Sequence, residues 1–147
     1  MRQASSHFDF DLDLAVEQSN ENPVFYVQYA HARICSIIKL LSEQGTHVKP
    51  ISEIDKSLLS SQQEIELIKL LARFPEEIKN AALLREPSLI TRYAQDLAAS
   101  FHTFYAACKV KTDDEALSAS RLKLVDATRI VIKNVLKVLS IDAPTHM

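Results

Sequence analysis

Beyond residue 21, apolar side chains recur at three- and four-residue spacing almost without a break, the signature of amphipathic helices. Val27, Ile34, Ile37, Ile38 and Leu41 share one face of a first helix. Asn22 and Pro23 supply its N-cap and first turn, and Gly45 its stop. Residues 46–60 read as a connector with a short helix around Ile51 to Lys56. Ser61 and Glu64 form a capping box for a segment from Gln62 to Arg73. Pro75 is expected to open another helix through about Arg85, and Pro87 the next through about Cys108. The core face of that helix is Ile90, Leu97, Phe101 and Phe104. After the polar loop "KVKTDD", the last helix runs from about Asp114 to Ser140.

That last helix has the widest apolar arc. Leu124, Val125, Ala127, Val131, Ile132, Val135, Leu136, Val138 and Leu139 fill about half its circumference at 100° per residue. Lys123, Asp126, Arg129, Lys133 and Lys137 take the opposite stripe, and Asp126 with Arg129 reads as a modest ion pair. Such a helix belongs at the centre of a bundle. Residues 1–21 are different: "HFDFDLDLA" alternates apolar and acidic positions, as a short strand or extended arm would. The expected organisation is an acidic arm over 1–21 and a helical domain over 22–147.

Composition sharpens the fold class. One glycine in 147 residues starves hairpins and tight turns, and it removes every glycine-rich phosphate loop. The expectation is an all-α bundle of five or six helices with an extended N-terminal arm. Net charge is −2, against strong non-specific nucleic-acid binding. Five acids against one base lie in the arm, however, which leaves 14 acids and 16 bases in the body. No apolar run approaches the ~20 residues of a membrane span. Two cysteines, Cys35 and Cys108, are read as reduced thiols, which suits a cytoplasmic location. His7, His31, His47, His102 and His146 show no metal-ligand spacing, and no serine or cysteine sits in a nucleophile motif. Catalytic and metal residues are therefore expected to be absent.

The stretch "NPVFYVQYAHARI" holds the candidate chemistry. Tyr26, Tyr29 and Arg33 fall together at the border of the apolar face. Two readings fit them: rings that pack and expose their hydroxyls, or a platform for unpaired bases worth ~1–3 kcal/mol each. The pattern alone does not choose. His102 and Tyr105 occupy a similar border on the helix after Pro87, where packing is the commoner outcome for Tyr105.

Several segments together resemble one family. "NPVFYVQYAHARI" is similar to the first helix of the anticodon-binding domain of arginyl-tRNA synthetases, and "RYAQDLAASFHTFYAACKV" to a later one. "RLKLVDATRIVIKNVLKVLSIDAPTHM" resembles its last helix and terminus. The Asp-Ala-Leu-Arg motif for which the domain type is named stands here as Asp126-Ala127-Thr128-Arg129, with threonine for leucine on the apolar arc, where its methyl can pack. "FDFDLDLA" resembles the stretch leading in from the catalytic core.

This resemblance implies that the chain recognises the anticodon loop of arginine tRNA. Tyr26 and Ala30, the region from Tyr105 to Lys109, and Met147 match positions that line the anticodon pocket. Tyr29 and Arg33 join them as the part of the cluster assigned to RNA. Tyr26, Tyr105 and Met147 are expected to line one pocket, with Arg33, Lys109 and Lys111 on phosphate. The family's His-Ile-Gly-His and Lys-Met-Ser-Lys-Ser signatures are absent, which implies a C-terminal piece of a larger ligase, inactive alone. ATP with magnesium, and L-arginine, then belong to the parent's catalytic domain, and no cofactor to this piece. The implied partners are arginine tRNA and that catalytic domain, with neither membrane nor DNA. The competing reading is a helical protein–protein interaction module.

Overall fold

The computed structural model of the protein describes Leu12 and residues 22–147. The arm expected over 1–21 lies, apart from Leu12, outside the described residues. Among these there are four α-helices and no strand. They are α1 (Pro23–Glu43), α2 (Gln62–Leu84), α3 (Ser88–Ala107) and α4 (Glu115–Val138). Two 3-10 turns, Ile51–Glu53 and Lys56–Leu58, occupy the connector where a short helix was expected.

The all-α class stands, but five or six helices become four, because α2 runs straight through Pro75. Proline removes the amide that would bond the Leu71 carbonyl, and a break was the local expectation. Tertiary packing overrides it. Leu70, Leu71, Phe74 and Ile78, on both sides of the proline, pack against the core. Phe74 stacks on Tyr93 with ring centroids 5.9 Å apart, and the Tyr93 hydroxyl donates to the Leu70 carbonyl at 2.9 Å. Pro75 itself faces solvent. Pro87 opens its helix from the N-cap position, directly before Ser88.

The other helix ends follow their local chemistry. Asn22 accepts from the amides of Val24 and Phe25, and Asp114 from those of Ala116 and Leu117. Gly45 takes φ +80° just past α1, the left-handed geometry that glycine adopts without strain.

α3 and α4 are the centre of the bundle, and each packs against all three other helices. Their inward faces hold Leu97, Phe101, Phe104, Leu122, Val125, Ile132, Val135 and Leu136, all essentially without exposure. Each large side chain so buried contributes roughly 1.5–3 kcal/mol before entropy is counted. The arc expected on α4 is nearly right. Val138 departs from it, half-exposed near the end of the helix, while Thr128 is fully buried. Its hydroxyl donates to the Leu124 carbonyl at 2.8 Å, so the threonine sits in the core with its polar group satisfied. Asp126, expected on the surface, is only 8 % exposed and accepts from Arg129 at 2.7 and 3.1 Å, with Lys123 at 3.5 Å.

The capping box at Ser61 is complete, and it is also the deepest charged site. The Ser61 amide donates to Glu64 Oε2 at 2.8 Å, and the Glu64 amide to Ser61 Oγ at 3.3 Å. Glu64 is 1 % exposed, and its Oε1 accepts from Arg121 Nε on α4 at 2.6 Å. Burial pushes its carboxyl up, but the hydrogen bonds from Arg121 and Ser61 outweigh that and hold it below the usual range.

His31 marks a second buried polar point. Its Nδ1 lies 2.8 Å from the Pro144 carbonyl, an acceptor only, so the proton sits on Nδ1. Burial lowers its pKa, with Arg129 and Lys133 adding to the effect and the Pro144 hydrogen bond opposing it.

Two outcomes follow from these buried groups. Arg121→Met alone strands the Glu64 carboxylate and should cost about 3–5 kcal/mol in urea denaturation. A loss under 1 kcal/mol would show that Glu64 is hydrated in solution. For His31 the unfolded chain binds the proton more readily than the fold. Stability should therefore fall as pH drops below the ordinary imidazole value of about 6.5, and level off once the depressed folded value is passed. The melting temperature should be lower at pH 5.5 than at 7.5. His31→Asn, which keeps an amide donor for Pro144, should reduce that difference, and an unchanged difference would remove His31 as its source.

Candidate nucleic-acid interface

Along α1, successive side chains turn by 100°, which places Tyr26, Tyr29, Arg33 and Leu40 on one border of its buried face. α3 presents His102 and Tyr105 to the same border. The His102 ring sits 5.3 Å from that of Tyr26, tilted, and 6.0 Å from that of Tyr29, stacked. Arg33 bridges the two helices: its Nη1 donates to the Tyr29 hydroxyl at 2.8 Å, and its Cζ lies 5.0 Å above the Tyr105 ring. Tyr105 in turn stacks on Phe101 of the core at 6.0 Å. The rings are thus backed by core and half-buried, with one side left to solvent. Burial raises the Tyr26 phenol, and burial together with Arg33 lowers the His102 imidazole. Both groups are held neutral near pH 7, which favours stacking over charge pairing.

Next to Tyr105 a groove of about 300 Å³ opens between α1 and the turn after α3. Ile37, Leu40, Tyr105, Val110, Lys109 and Lys111 are among its walls. Apolar walls and one ring suit a flat base, and two lysines at the edge suit its phosphate. Lys111 Nζ donates to Gln44 Oε1 at 3.0 Å, while the Lys109 side chain is exposed.

Of the residues expected from sequence, Tyr26, Tyr29, Arg33 and Tyr105 come together, and Lys109 joins them through the groove. Ala30 is 0 % exposed and lies in the core cluster, so its methyl supports α1 without reaching the surface. Met147 is exposed, but its segment is tied to the other border of α1. Gln28 Nε2 donates to the Asp142 carbonyl at 2.9 Å and His31 to that of Pro144. These tethers hold the chain as far as Pro144 along that second border.

Sequence reasoning left His102 out of the candidate set, although its place one turn before Tyr105 was a usable signal. Leu40 was missed for a plainer reason: an exposed leucine has no pattern that marks it as a groove wall. Among the described residues, no group of histidines, cysteines and carboxylates is arranged to hold a metal ion, and no helix is long and apolar enough to cross a membrane.

Known proteins share the sequence pattern and the fold of this chain. Residues 27–147 match the model of the DALR anticodon binding domain. An arginine–tRNA ligase of Ruminiclostridium cellulolyticum is 56 % identical over 144 residues, covering 98 % of this chain and 26 % of that protein. One from Symbiobacterium thermophilum is 54 % identical over all 147 residues, again 26 % of its length. The solved arginyl-tRNA synthetase of Thermus thermophilus superposes with a TM-score of 0.75 at 32 % identity, covering 95 % of this chain and 23 % of that one. The chain spans about a quarter of the length of these relatives. It belongs to the DALR anticodon binding domain family.

Proposed function

We propose that this chain is the anticodon-binding part of a cytoplasmic arginine–tRNA ligase and that it holds the anticodon loop of arginine tRNA against the α1–α3 border. The observation that carries this reading is the gathering of Tyr26, Tyr29, His102 and Tyr105 around Arg33, beside an apolar groove edged by Lys109 and Lys111. Unpaired bases stack on the rings and enter the groove, while the lysines meet the backbone. The weak net charge fits a surface that reads bases more than it gathers phosphates. Met147, three residues beyond the Pro144 carbonyl that His31 holds, adds its exposed side chain to the RNA contact. ATP and arginine bind in the remainder of the ligase, which is this domain's partner within the same protein.

Titration with arginine tRNA and with a transcript altered only in its anticodon tests the reading. Tyr26→Ala should weaken cognate binding by about 1–3 kcal/mol with little change in the slope of log affinity against log salt. Lys109→Ala should reduce that slope by about 0.7 and weaken both RNAs alike. A Tyr26→Ala protein that melts lower yet loses affinity equally for both RNAs would make the ring a packing residue. Arginine-dependent exchange of pyrophosphate into ATP is expected to be absent from the 147-residue chain assayed alone. Exchange above background in a preparation free of full-length ligase would overturn that assignment of the chemistry.

A further inference from the structure

The Glu64–Arg121 pair reaches further than the capping box. Arg121 Nε is spent on Glu64, but its Nη1 donates to the carbonyl oxygen of Lys109 at 2.9 Å. The hydroxyl of Ser61, in the same network, lies 3.4 Å from Cys108 Sγ. The start of α2, the first half of α4 and the turn after α3 therefore meet at one guanidinium.

That turn carries the groove. Cys108 leaves α3 in extended conformation, at φ −121° and ψ 113°. Side chains in extended chain alternate, so the buried Cys108 and Val110 send Lys109 between them outward. Cys108 and Val110 are pinned by the core, and the Lys109 carbonyl by Arg121. What stays free to move is the Lys109 side chain alone, beside Tyr105 in the groove wall.

Stability does not account for this arrangement. A buried ion pair adds little over apolar residues of similar volume, and often less. An apolar pair at these two positions would fill the space but leave the Lys109 carbonyl untied.

We propose that Arg121, oriented by Glu64, is a positioning residue of the RNA-contacting groove: it fixes the backbone at Lys109 so that the Lys109 ammonium and the Tyr105 ring address one RNA segment together. The inference rests on the reading of this groove as an RNA contact. It assigns Arg121 no contact with RNA, since its charge is already matched by Glu64.

The test uses the 147-residue chain, an arginine tRNA transcript and a series of salt concentrations. The double substitution Glu64→Leu with Arg121→Met removes both charges and strands neither. It should melt somewhat below the parent, because the Ser61 amide loses its Glu64 acceptor, bind about fivefold more weakly, and lose about 0.7 from the salt slope. Adding Lys109→Ala to that pair should change little further, because the lysine is already out of place. Arg121→Lys keeps the ion pair but lacks the planar fork that reaches two acceptors. It should weaken binding similarly, and it decides the matter if the double variant does not fold. If Lys109→Ala weakens binding while the double variant and Arg121→Lys bind like the parent, the positioning role is wrong and the groove reading survives. If Lys109→Ala and Tyr105→Ala both bind like the parent, the groove reading falls and takes the inference with it.

Discussion

Glu64 is a carboxylate taken almost wholly out of water, and its charge has to be answered on every side. Its two oxygens divide the work: Oε2 accepts from the Ser61 amide at the start of α2, and Oε1 from Arg121 on α4. The guanidinium that answers it is itself mostly covered and extends to the Lys109 carbonyl. No one of these segments can shift without leaving a buried charge short of a partner. The mutual positions of α2, α4 and the turn after α3 are thereby tied to a single electrostatic requirement, on top of the broad apolar packing that α3 and α4 supply.

α1 is organised differently. It has a buried face between two working borders. One border meets α3 and carries the ring cluster with Arg33 across it. The other meets α4 and the segment after it, through Gln28, His31 and the Asp126–Arg129 neighbourhood. A movement of α1 would disturb both borders at once. The buried imidazole of His31 adds a pH-dependent component to the second border, because imidazolium there is opposed by burial and by two nearby cations.

Charge is used sparingly at the candidate interface. His102 is kept neutral by burial and by Arg33, and Arg33 spends its guanidinium on two tyrosines. Cation–π contact and stacking hold these groups in place before any ligand arrives, which lowers the ordering cost of binding. Lys109 and Lys111 stand exposed at the groove edge.

Much of the fold was legible in the sequence because helical periodicity and end-capping are local. The Asn22 cap, the Ser61–Glu64 capping box, the Gly45 stop and the apolar stripe of α3 each depend on residues within one or two turns. The border position of Tyr26, Tyr29, Arg33 and Tyr105 was legible for the same reason. Pro75 marks the limit: its local preference breaks a helix, and only packing of Phe74 and Ile78 against the core carries α2 through it. The depth of Glu64 and His31 was equally out of reach, since each is polar by composition and bonds a partner far along the chain. The meeting of Arg121 with the Lys109 carbonyl, of His102 with two tyrosines, and of Pro144 with His31 was likewise a decision of the tertiary structure. Such contacts join residues on different elements, and nothing in a local pattern reports the distance between two helices until the core that separates them is packed.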